Sequence, residues 1–277
     1  MYYIEKNDKH IKIINFFNIV KMVNNKILLP EIKKETDVEK IARKTKKALN
    51  QTFSRKIVVS KEIQKSTKYM NYLYSYNLNI VNGKWLYKIL CFEILDYIIN
   101  KNKFKKSEAK ISILVNDTTV IDVESIKIIL RNYKNVNIIS NHREKFKNLE
   151  KSFLENEGIT LIISNNKRQA LNKSNVILNL DYPEEELNKY SICEKAIIVN
   201  FEEKAKVYKK RFEGTIINDY EINVDDDILY QNVGFTKEEF EKYFRKEVYE
   251  AYFNKKQSFS SIRRILKEDK VTISKLF

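Results

Sequence analysis

Short apolar runs alternate with amphipathic segments through the middle of the chain. The apolar runs are ISILV, VNIIS, ITLIIS, VILNL and AIIVNF, and the segments between them include DVESIKIILRNY, REKFKNLEKSFLENE, KRQALNKS and EEELNKY. Near-continuous Ile, Val and Leu is typical of strands buried on both faces, and helical crossovers imply parallel pairing with right-handed connections. The pattern therefore predicts an α/β fold built on a doubly wound, Rossmann-like parallel sheet. Residues 214–222, GTIINDYEI, are expected to add a sixth strand.

The pattern differs on either side of this region. Residues 2–29 alternate between apolar and polar positions around Asn24-Asn25, which predicts a short β-hairpin, and amphipathic helices follow. Thr236 and Glu239 have the spacing of a capping box and open a run of helical character. We expect a smaller N-terminal α/β domain of a hairpin plus helices at 1–105, the Rossmann-like domain at 106–230, and C-terminal helices packed on the body at 231–277.

The chain is basic, with 52 Lys and Arg against 37 Asp and Glu and a net charge of +15. Basic and acidic residues are interleaved, which is typical of solvated helix faces and does not favour a nucleic-acid site. Cys91 and Cys193 lie in apolar stretches, which predicts buried free thiols, and no metal site is expected. The first residues do not have the pattern of a secretory signal, and no apolar run is long enough for a bilayer. The sequence predicts a cytoplasmic protein.

In a doubly wound sheet, ligands bind beyond the carboxyl ends of the strands, near the point where the strand order reverses. The polar residues at these ends are the candidate ligand-binding residues, and together they are expected to form one polar rim. They are Asn116, Asp117, Thr118 and Thr119 after the first strand, Asn141, His142 and Arg143 after the second, Asn165 and Asn166 after the third, and Asp181 after the fourth.

Residues 136–181 resemble the second half of the nicotinamide-binding domain of shikimate dehydrogenase-like enzymes. Asn141 matches the Asn of that family's Asn-Arg-Thr signature, Arg143 lies one position late for its Arg, and NVILN at 175–179 matches a later strand. In that family the Arg approaches the adenosine 2′-phosphate, so the resemblance implies NADP as a cofactor and Arg143 as a residue that contacts it.

The first turn departs from the family pattern. The family has glycines there, whereas residues 116–122 read NDTTVID and no glycine lies between Gly83 and Gly158. Side chains would crowd the close approach of a pyrophosphate, and Asp117 and Asp122 would repel it. We therefore predict no cofactor, with NAD(P) as the alternative. A structural role is also open, in which Asp117, Thr118 or Thr119 caps the following helix.

The sequence leaves three functions open and identifies no catalytic residue, so it does not decide whether the protein is an enzyme. The first is a Rossmann-like protein that binds a small ligand or a protein partner at the rim without redox catalysis. The second is an NAD(P)-dependent oxidoreductase with an atypical phosphate loop, and the third is a basic nucleic-acid-binding protein. Aromatic residues of the C-terminal region, from Phe240 to Phe253, could serve a homodimer as well as a core.

Overall fold

The computed structural model describes residues 1–7, 19–31, 35–49, 56–233, 236–253 and 257–277. These residues divide into two compact units. The first unit contains Met1–Gly83 and Val224–Gln257, and the second contains Lys84–Asn223 and Ser258–Phe277. Of the helices in these ranges, none combines the length and the apolar character needed to cross a membrane.

The described residues form the following elements. The strands are β1 (Tyr2–Lys6), β2 (Lys21–Val23), β3 (Lys26–Leu29), β4 (Ile57–Val59), β5 (Lys110–Leu114), β6 (Asn135–Ile139), β7 (Ile162–Ser164), β8 (Val176–Asn179), β9 (Ile197–Asn200), β10 (Thr215–Ile217), β11 (Tyr220–Asn223) and β12 (Thr272–Leu276). The α-helices are α1 (Glu35–Leu49), α2 (Lys61–Gln64), α3 (Thr67–Ser75), α4 (Lys84–Ile89), α5 (Cys91–Lys101), α6 (Val120–Asn132), α7 (Lys147–Glu157), α8 (Glu184–Leu187), α9 (Asp226–Val233), α10 (Lys237–Glu241), α11 (Arg245–Tyr252) and α12 (Phe259–Glu268). A 3₁₀ turn, Arg143–Phe146, precedes α7.

The first unit is built on a four-stranded sheet of order β2-β3-β1-β4. Among its described strands, β2 and β3 form an antiparallel hairpin, whose turn places Asn24 at a φ of 54°. β1 pairs parallel to β3 and to β4, so the prediction of one hairpin over residues 2–29 is wrong for β1. The physical reason is burial, because β1 is a central strand that is buried along most of its length. Residues 8–18 of the predicted hairpin lie outside the described residues.

The predicted capping box in this unit is confirmed. The Thr236 side chain accepts a hydrogen bond from the backbone N–H of Glu239, whose carboxylate accepts one from the Thr236 N–H. Two of the backbone donors left free at the start of α10 are satisfied in this way.

The second unit contains a six-stranded parallel sheet of order β10-β9-β8-β5-β6-β7. Counted from β5, this is the order 3-2-1-4-5-6 of the doubly wound fold, and the predicted fold class is confirmed. Right-handed connections place α6 and α7 on one face of the sheet. An apolar cluster that includes Leu114, Ile139, Ile177 and Ile198 forms on the other face.

Burial of the strands on both faces holds for only part of this sheet. β8 and β9 are buried at every residue, as predicted from their apolar runs. β7 is not, because Ile162 keeps 60% of its surface exposed. The cause is the connection from β7 to β8, which crosses by turns and contains no helix where a doubly wound sheet usually has one.

The end of the chain also differs from the prediction, which had helices at 231–277. After α12 the chain forms β12, which pairs antiparallel with β11. Its residues TISKL alternate in polarity, as a strand with one buried side requires, and Ile273 is the buried one. GTIINDYEI contributes two strands and not one, since β10 extends the parallel sheet and β11 pairs with β12.

Candidate functional site

The strand order of the large sheet reverses between β5 and β8, and the predicted rim residues follow these strands and their neighbours β6 and β7. Asn116 and Asp117 follow β5, and Asp181 follows β8. This switch point is where a doubly wound sheet binds a dinucleotide, with backbone N–H groups directed at the pyrophosphate.

The Asp181 carboxylate binds the backbone of the first turn. The Asn116 N–H donates to both carboxylate oxygens at 2.8 Å, and the Asp117 N–H donates to Oδ2 at 2.7 Å. Burial raises the pKa of Asp181, the two amide hydrogen bonds oppose that shift, and the carboxylates of Asp122 and Asp117 add to it. An anionic group of the chain itself therefore occupies donors at the switch point.

Asp117 points into solvent and has a basic partner. Its carboxylate accepts a hydrogen bond from Lys145 Nζ at 2.6 Å. This bond, together with the charge of Lys145, lowers the pKa of Asp117. Lys145 thereby ties the turn after β6 to the turn after β5.

Thr119 caps α6, so one of the three capping alternatives is confirmed. Its Oγ1 accepts a hydrogen bond from the Asp122 N–H at 3.2 Å and donates one to Asp122 Oδ2 at 2.5 Å. Asp122 is buried, its Oδ1 has no hydrogen-bond partner, and the nearest cation, Lys88 Nζ, lies 4.0 Å away. Burial raises the pKa of Asp122.

These residues do not fit the pyrophosphate of a dinucleotide. Residues 116–122 contain no glycine, so a side chain projects from each position where the backbone would need to approach the ligand. The amides of Asn116 and Asp117 already bind a carboxylate. Asp117, Asp122 and Asp181 add three acidic groups where a phosphate would require the opposite charge.

The second strand end joins this network through Asn141. Its N–H donates to Asn116 Oδ1 at 3.0 Å, and its Nδ2 donates to Glu186 Oε1 at 3.3 Å. Glu186 also accepts hydrogen bonds from Lys167 at 2.8 Å and Lys189 at 2.6 Å. The hydrogen bond from Lys167, followed by that from Lys189, lowers the pKa of Glu186 to about 2.

Other predicted rim residues expose their side chains to solvent. Thr118, His142, Arg143 and Asn165 belong to this exposed group. Arg143 borders a cavity of about 270 Å³ together with Lys147, Glu144, Glu150 and Ile163. Asn166 has a local structural role, because its Oδ1 accepts the N–H groups of Arg168 and Gln169 in the turn that follows β7.

A buried asparagine ladder crosses the ends of β8, β9 and β10, and the sequence prediction missed it. Asn179 Nδ2 donates to Asn200 Oδ1 and Asn200 Nδ2 donates to Asn218 Oδ1, both at 2.9 Å. Asn179 also binds the backbone of Tyr182 in both directions, and Asn218 Oδ1 accepts the Ala205 N–H. The signal was an Asn closing each of three apolar runs, VILN, IIVN and TIIN.

The sequence prediction also missed an aromatic group around Tyr87. Tyr87 of α4 stacks on Tyr220 with ring centroids 4.5 Å apart and lies against Phe201, and its buried hydroxyl has no hydrogen-bond partner. Burial raises the pKa of the nearby Cys91 thiol, whereas Cys193 is partly exposed, contrary to prediction. Among the described residues, no three His, Cys, Asp or Glu side chains are grouped so as to hold a metal ion.

No protein-family model and no curated protein sequence matches the chain. Solved structures similar to it include L-tryptophan dehydrogenase from Nostoc punctiforme, at 8% identity over 90% of this chain and 72% of the other, with a TM-score of 0.36. A shikimate 5-dehydrogenase-like protein is 12% identical over 90% of this chain and 95% of the other, with a TM-score of 0.32. A malate oxidoreductase is 17% identical, with a TM-score of 0.29, and this chain spans 48% of its length. These similarities carry no argument about function.

Proposed function

We propose that this protein is a non-redox binding protein whose doubly wound domain recognises a small anionic ligand at the exposed part of its strand-end rim. The observation that carries the proposal is the hydrogen bonding of Asp181 to the amides of Asn116 and Asp117. A nucleotide would have to displace this carboxylate and would then face Asp117 and Asp122. Nicotinamide chemistry at the switch point is therefore disfavoured by charge and by lack of free donors.

The part of the rim that remains available lies beyond β6 and β7. His142 and Arg143 expose their side chains there. Arg143 and Lys147 line one cavity with Glu144 and Glu150, and because Lys147 pairs with Glu144 at 3.0 Å, Arg143 is the basic residue of this cavity that we assign to the ligand. Arginine binds carboxylate and phosphate groups with paired hydrogen bonds. The cavity of about 270 Å³ has room for a small ligand and is smaller than most dinucleotide sites.

A thermal-shift titration with NAD⁺, NADH, NADP⁺ and NADPH, each at about 1 mM, tests the proposal that the protein binds no nicotinamide cofactor. A ligand present at about 100 times its Kd stabilises the native state by about 2.7 kcal/mol, so a cofactor site would produce a clear rise in Tm. We expect no rise. Stabilisation by any of the four would contradict the proposal and favour the NAD(P)-dependent oxidoreductase.

A second titration tests the anionic ligand, with inorganic phosphate and citrate as probes. We expect citrate to raise the Tm of the wild type and to lose about tenfold in affinity with Arg143→Ala, because a charge-assisted hydrogen bond is removed. Arg131→Ala is the matched control, since Arg131 is exposed and pairs with Glu157 away from the rim. Equal loss in both variants, or no binding of either probe, would contradict this part of the proposal.

A further inference from the structure

The first unit has a cavity of its own at the carboxyl ends of the parallel strands β1 and β4. The cavity measures about 230 Å³, which is far more than one ordered water requires. Its lining residues come from the end of β1, the segment after β4 and the end of α10, and they are Glu5, Lys6, Ser60, Lys61, Glu62, Lys65, Glu241 and Lys242. All of them belong to the first unit. The cavity therefore has the size and the polar lining of a site for one small molecule.

The two most buried lining residues are neighbours in the sheet. β1 pairs with β4 so that Ile4 lies opposite Val59, and the Ser60 N–H donates to the Ile4 carbonyl at 2.8 Å. One position further along, the same register places Glu5 beside Ser60. Residues opposite each other in a sheet point to the same face, so the Glu5 carboxylate and the Ser60 hydroxyl share one face. They are 6% and 3% exposed, respectively.

The Ser60 hydroxyl has no hydrogen-bond partner among the described residues. Ser60 is the N-cap of α2, a position where a serine side chain normally accepts a backbone N–H of the first turn, but it makes no such bond here. Three other buried side-chain atoms in the described chain also lack a partner, those of Tyr87, Asp122 and Tyr190, and none of them lines this cavity. A buried hydroxyl without a partner is costly, which favours an occupant that bonds to it.

Glu5 also has a carboxylate oxygen that accepts no hydrogen bond. Its Oε2 accepts one from the Tyr243 hydroxyl at 3.0 Å, and Lys242 Nζ lies 3.7 Å from the same oxygen. No described residue donates a hydrogen bond to Oε1, and the cation on that side, Lys26 Nζ, lies 4.0 Å away. The two lysines balance the charge of the carboxylate without occupying Oε1. The floor of the cavity thus offers an acceptor and a hydroxyl side by side.

The charges around the cavity do not favour a charged ligand. Lys6 pairs with Glu62 at 2.9 Å, and Lys61 Nζ donates to the Glu241 carbonyl at 3.0 Å. An anion would meet the buried Glu5 carboxylate at the floor, and a cation would meet the four lysines of the lining. A neutral molecule that donates hydrogen bonds avoids both conflicts.

We propose that this cavity binds a small neutral polyol, such as a monosaccharide or a cyclitol, through Glu5 and Ser60. One ligand hydroxyl donates to Glu5 Oε1, and a nearby one bonds to Ser60 Oγ, because a hydroxyl can both donate and accept. Successive hydroxyls of a polyol suit two groups that lie on adjacent strands about 4.8 Å apart. The site is separate from the rim of the second unit, since no rim residue lines it.

The test follows the amide shifts of Lys61 and Glu62 in NMR spectra of the full chain during titration with D-ribose, myo-inositol and glycerol. Shifts are preferred to the Tm, because polyols stabilise proteins in general without binding them. We expect saturable shifts, and binding about fivefold weaker in Ser60→Ala, which removes one neutral hydrogen bond. Glu5→Gln should weaken binding about tenfold, because a hydrogen bond to a charged acceptor is stronger.

Ser258→Ala is the matched control. Ser258 is the N-cap of α12, and its hydroxyl accepts the Ser261 N–H at 3.2 Å. Ser258→Ala should lower the Tm and leave polyol binding unchanged. Ser60→Ala should weaken binding and keep or raise the Tm, because it removes a hydroxyl that has no partner. A lower Tm for Ser60→Ala would show that its hydroxyl is already bonded in the native chain, and would overturn the proposal.

Charged comparators test the class of ligand. Inorganic phosphate and ethanolamine are titrated under the same conditions, and neither should bind at these amides as tightly as the best polyol. Tighter binding of phosphate would make the cavity an anion site, and tighter binding of ethanolamine would make it a cation site. Either result would overturn the proposal. So would the absence of saturable binding by all three polyols, because the cavity would then hold only water.

Discussion

The two halves of the large sheet are both parallel, but they differ in how far their strands are buried and in how their strand ends are hydrogen-bonded. In the half formed by β8, β9 and β10, the asparagine ladder closes the strand ends, and β8 and β9 are buried at every residue. In the half formed by β6 and β7, Ile162 is 60% exposed and Asn137 lines an open groove. The same types of residue, Ile and Asn, thus stand in opposite surroundings within one sheet.

This difference is the basis for placing the proposed ligand site in the β6–β7 half. The side chains of Asn179, Asn200 and Asn218 in the closed half bind one another and neighbouring backbone groups. The junction of the halves is occupied by Asp181, whose carboxylate binds the first turn. Ile162 and Arg143 are exposed in the β6–β7 half, which is the half where we propose that a ligand binds.

The largest expected contrast concerns isoleucine. Ile198 on β9 is fully buried, so Ile198→Ala should lower the free energy of unfolding by about 3 kcal/mol through lost burial and a cavity. Ile162→Ala on β7 should cost less than about 1 kcal/mol, because most of the side chain already contacts solvent. Denaturant unfolding of both variants measures the difference. Equal losses would mean that β7 is covered in solution.

Asparagine should show the next largest contrast. Asn200→Ala removes the middle of the ladder, taking a partner from Asn179 and from Asn218, and should cost about 2 kcal/mol. Asn137→Ala should change the free energy of unfolding by less than about 0.5 kcal/mol, because Asn137 lies at the open surface. Urea midpoints with unchanged m-values provide the measurement. If Asn200→Ala were as stable as Asn137→Ala, the asparagine ladder would not stabilise its half of the sheet.

Loss of the Glu186 link between the two halves should change the free energy of unfolding by a smaller amount. Glu186 joins Asn141 after β6 to the helix after β8, and Glu186→Gln should cost about 1 kcal/mol near neutral pH, since its lysine partners are partly exposed. The folded-state pKa of Glu186, about 2, lies below its usual 4.5. Its contribution is therefore present above pH 4.5 and lost as the pH falls toward 2. Unfolding curves across this range should converge with those of the variant.

The smallest expected effect belongs to Asp122 and has the opposite sign. Its pKa is raised by burial, so the native state binds more protons than the unfolded state above the usual pKa of 3.8. Its contribution is favourable at low pH and is lost as the pH rises through the folded-state pKa. Asp122→Asn should therefore be slightly more stable than the wild type at pH 7 and should remove this part of the pH dependence. A less stable variant at pH 7 would show that Lys88 outweighs burial.

Much of the fold could be predicted from the sequence because the β–α alternation is strong between residues 111 and 222. The exposure of β7 could not, since ITLIIS is as apolar as the buried runs and only the missing crossover helix distinguishes it. The lack of a glycine phosphate loop could be predicted from residues 116–122. The binding of Asp181 to this turn could not be predicted, because the two segments are far apart in sequence and meet only through the pairing of β5 with β8.

The central claim is that Asp181 occupies the donors at the switch point, and the amide protons of Asn116 and Asp117 report on it directly. Their NMR shifts should be followed across pH in the wild type and in Asp181→Asn, with and without NADP⁺ at about 1 mM, a level that saturates ordinary cofactor sites. We expect both amide shifts to move together with one apparent pKa above the usual 3.8 and not to change when NADP⁺ is added. In Asp181→Asn this transition should disappear, and the transition of the Asp117 carboxylate, whose pKa is lowered, should remain. Amides that do not titrate with Asp181, or that move when NADP⁺ is added, would contradict the account.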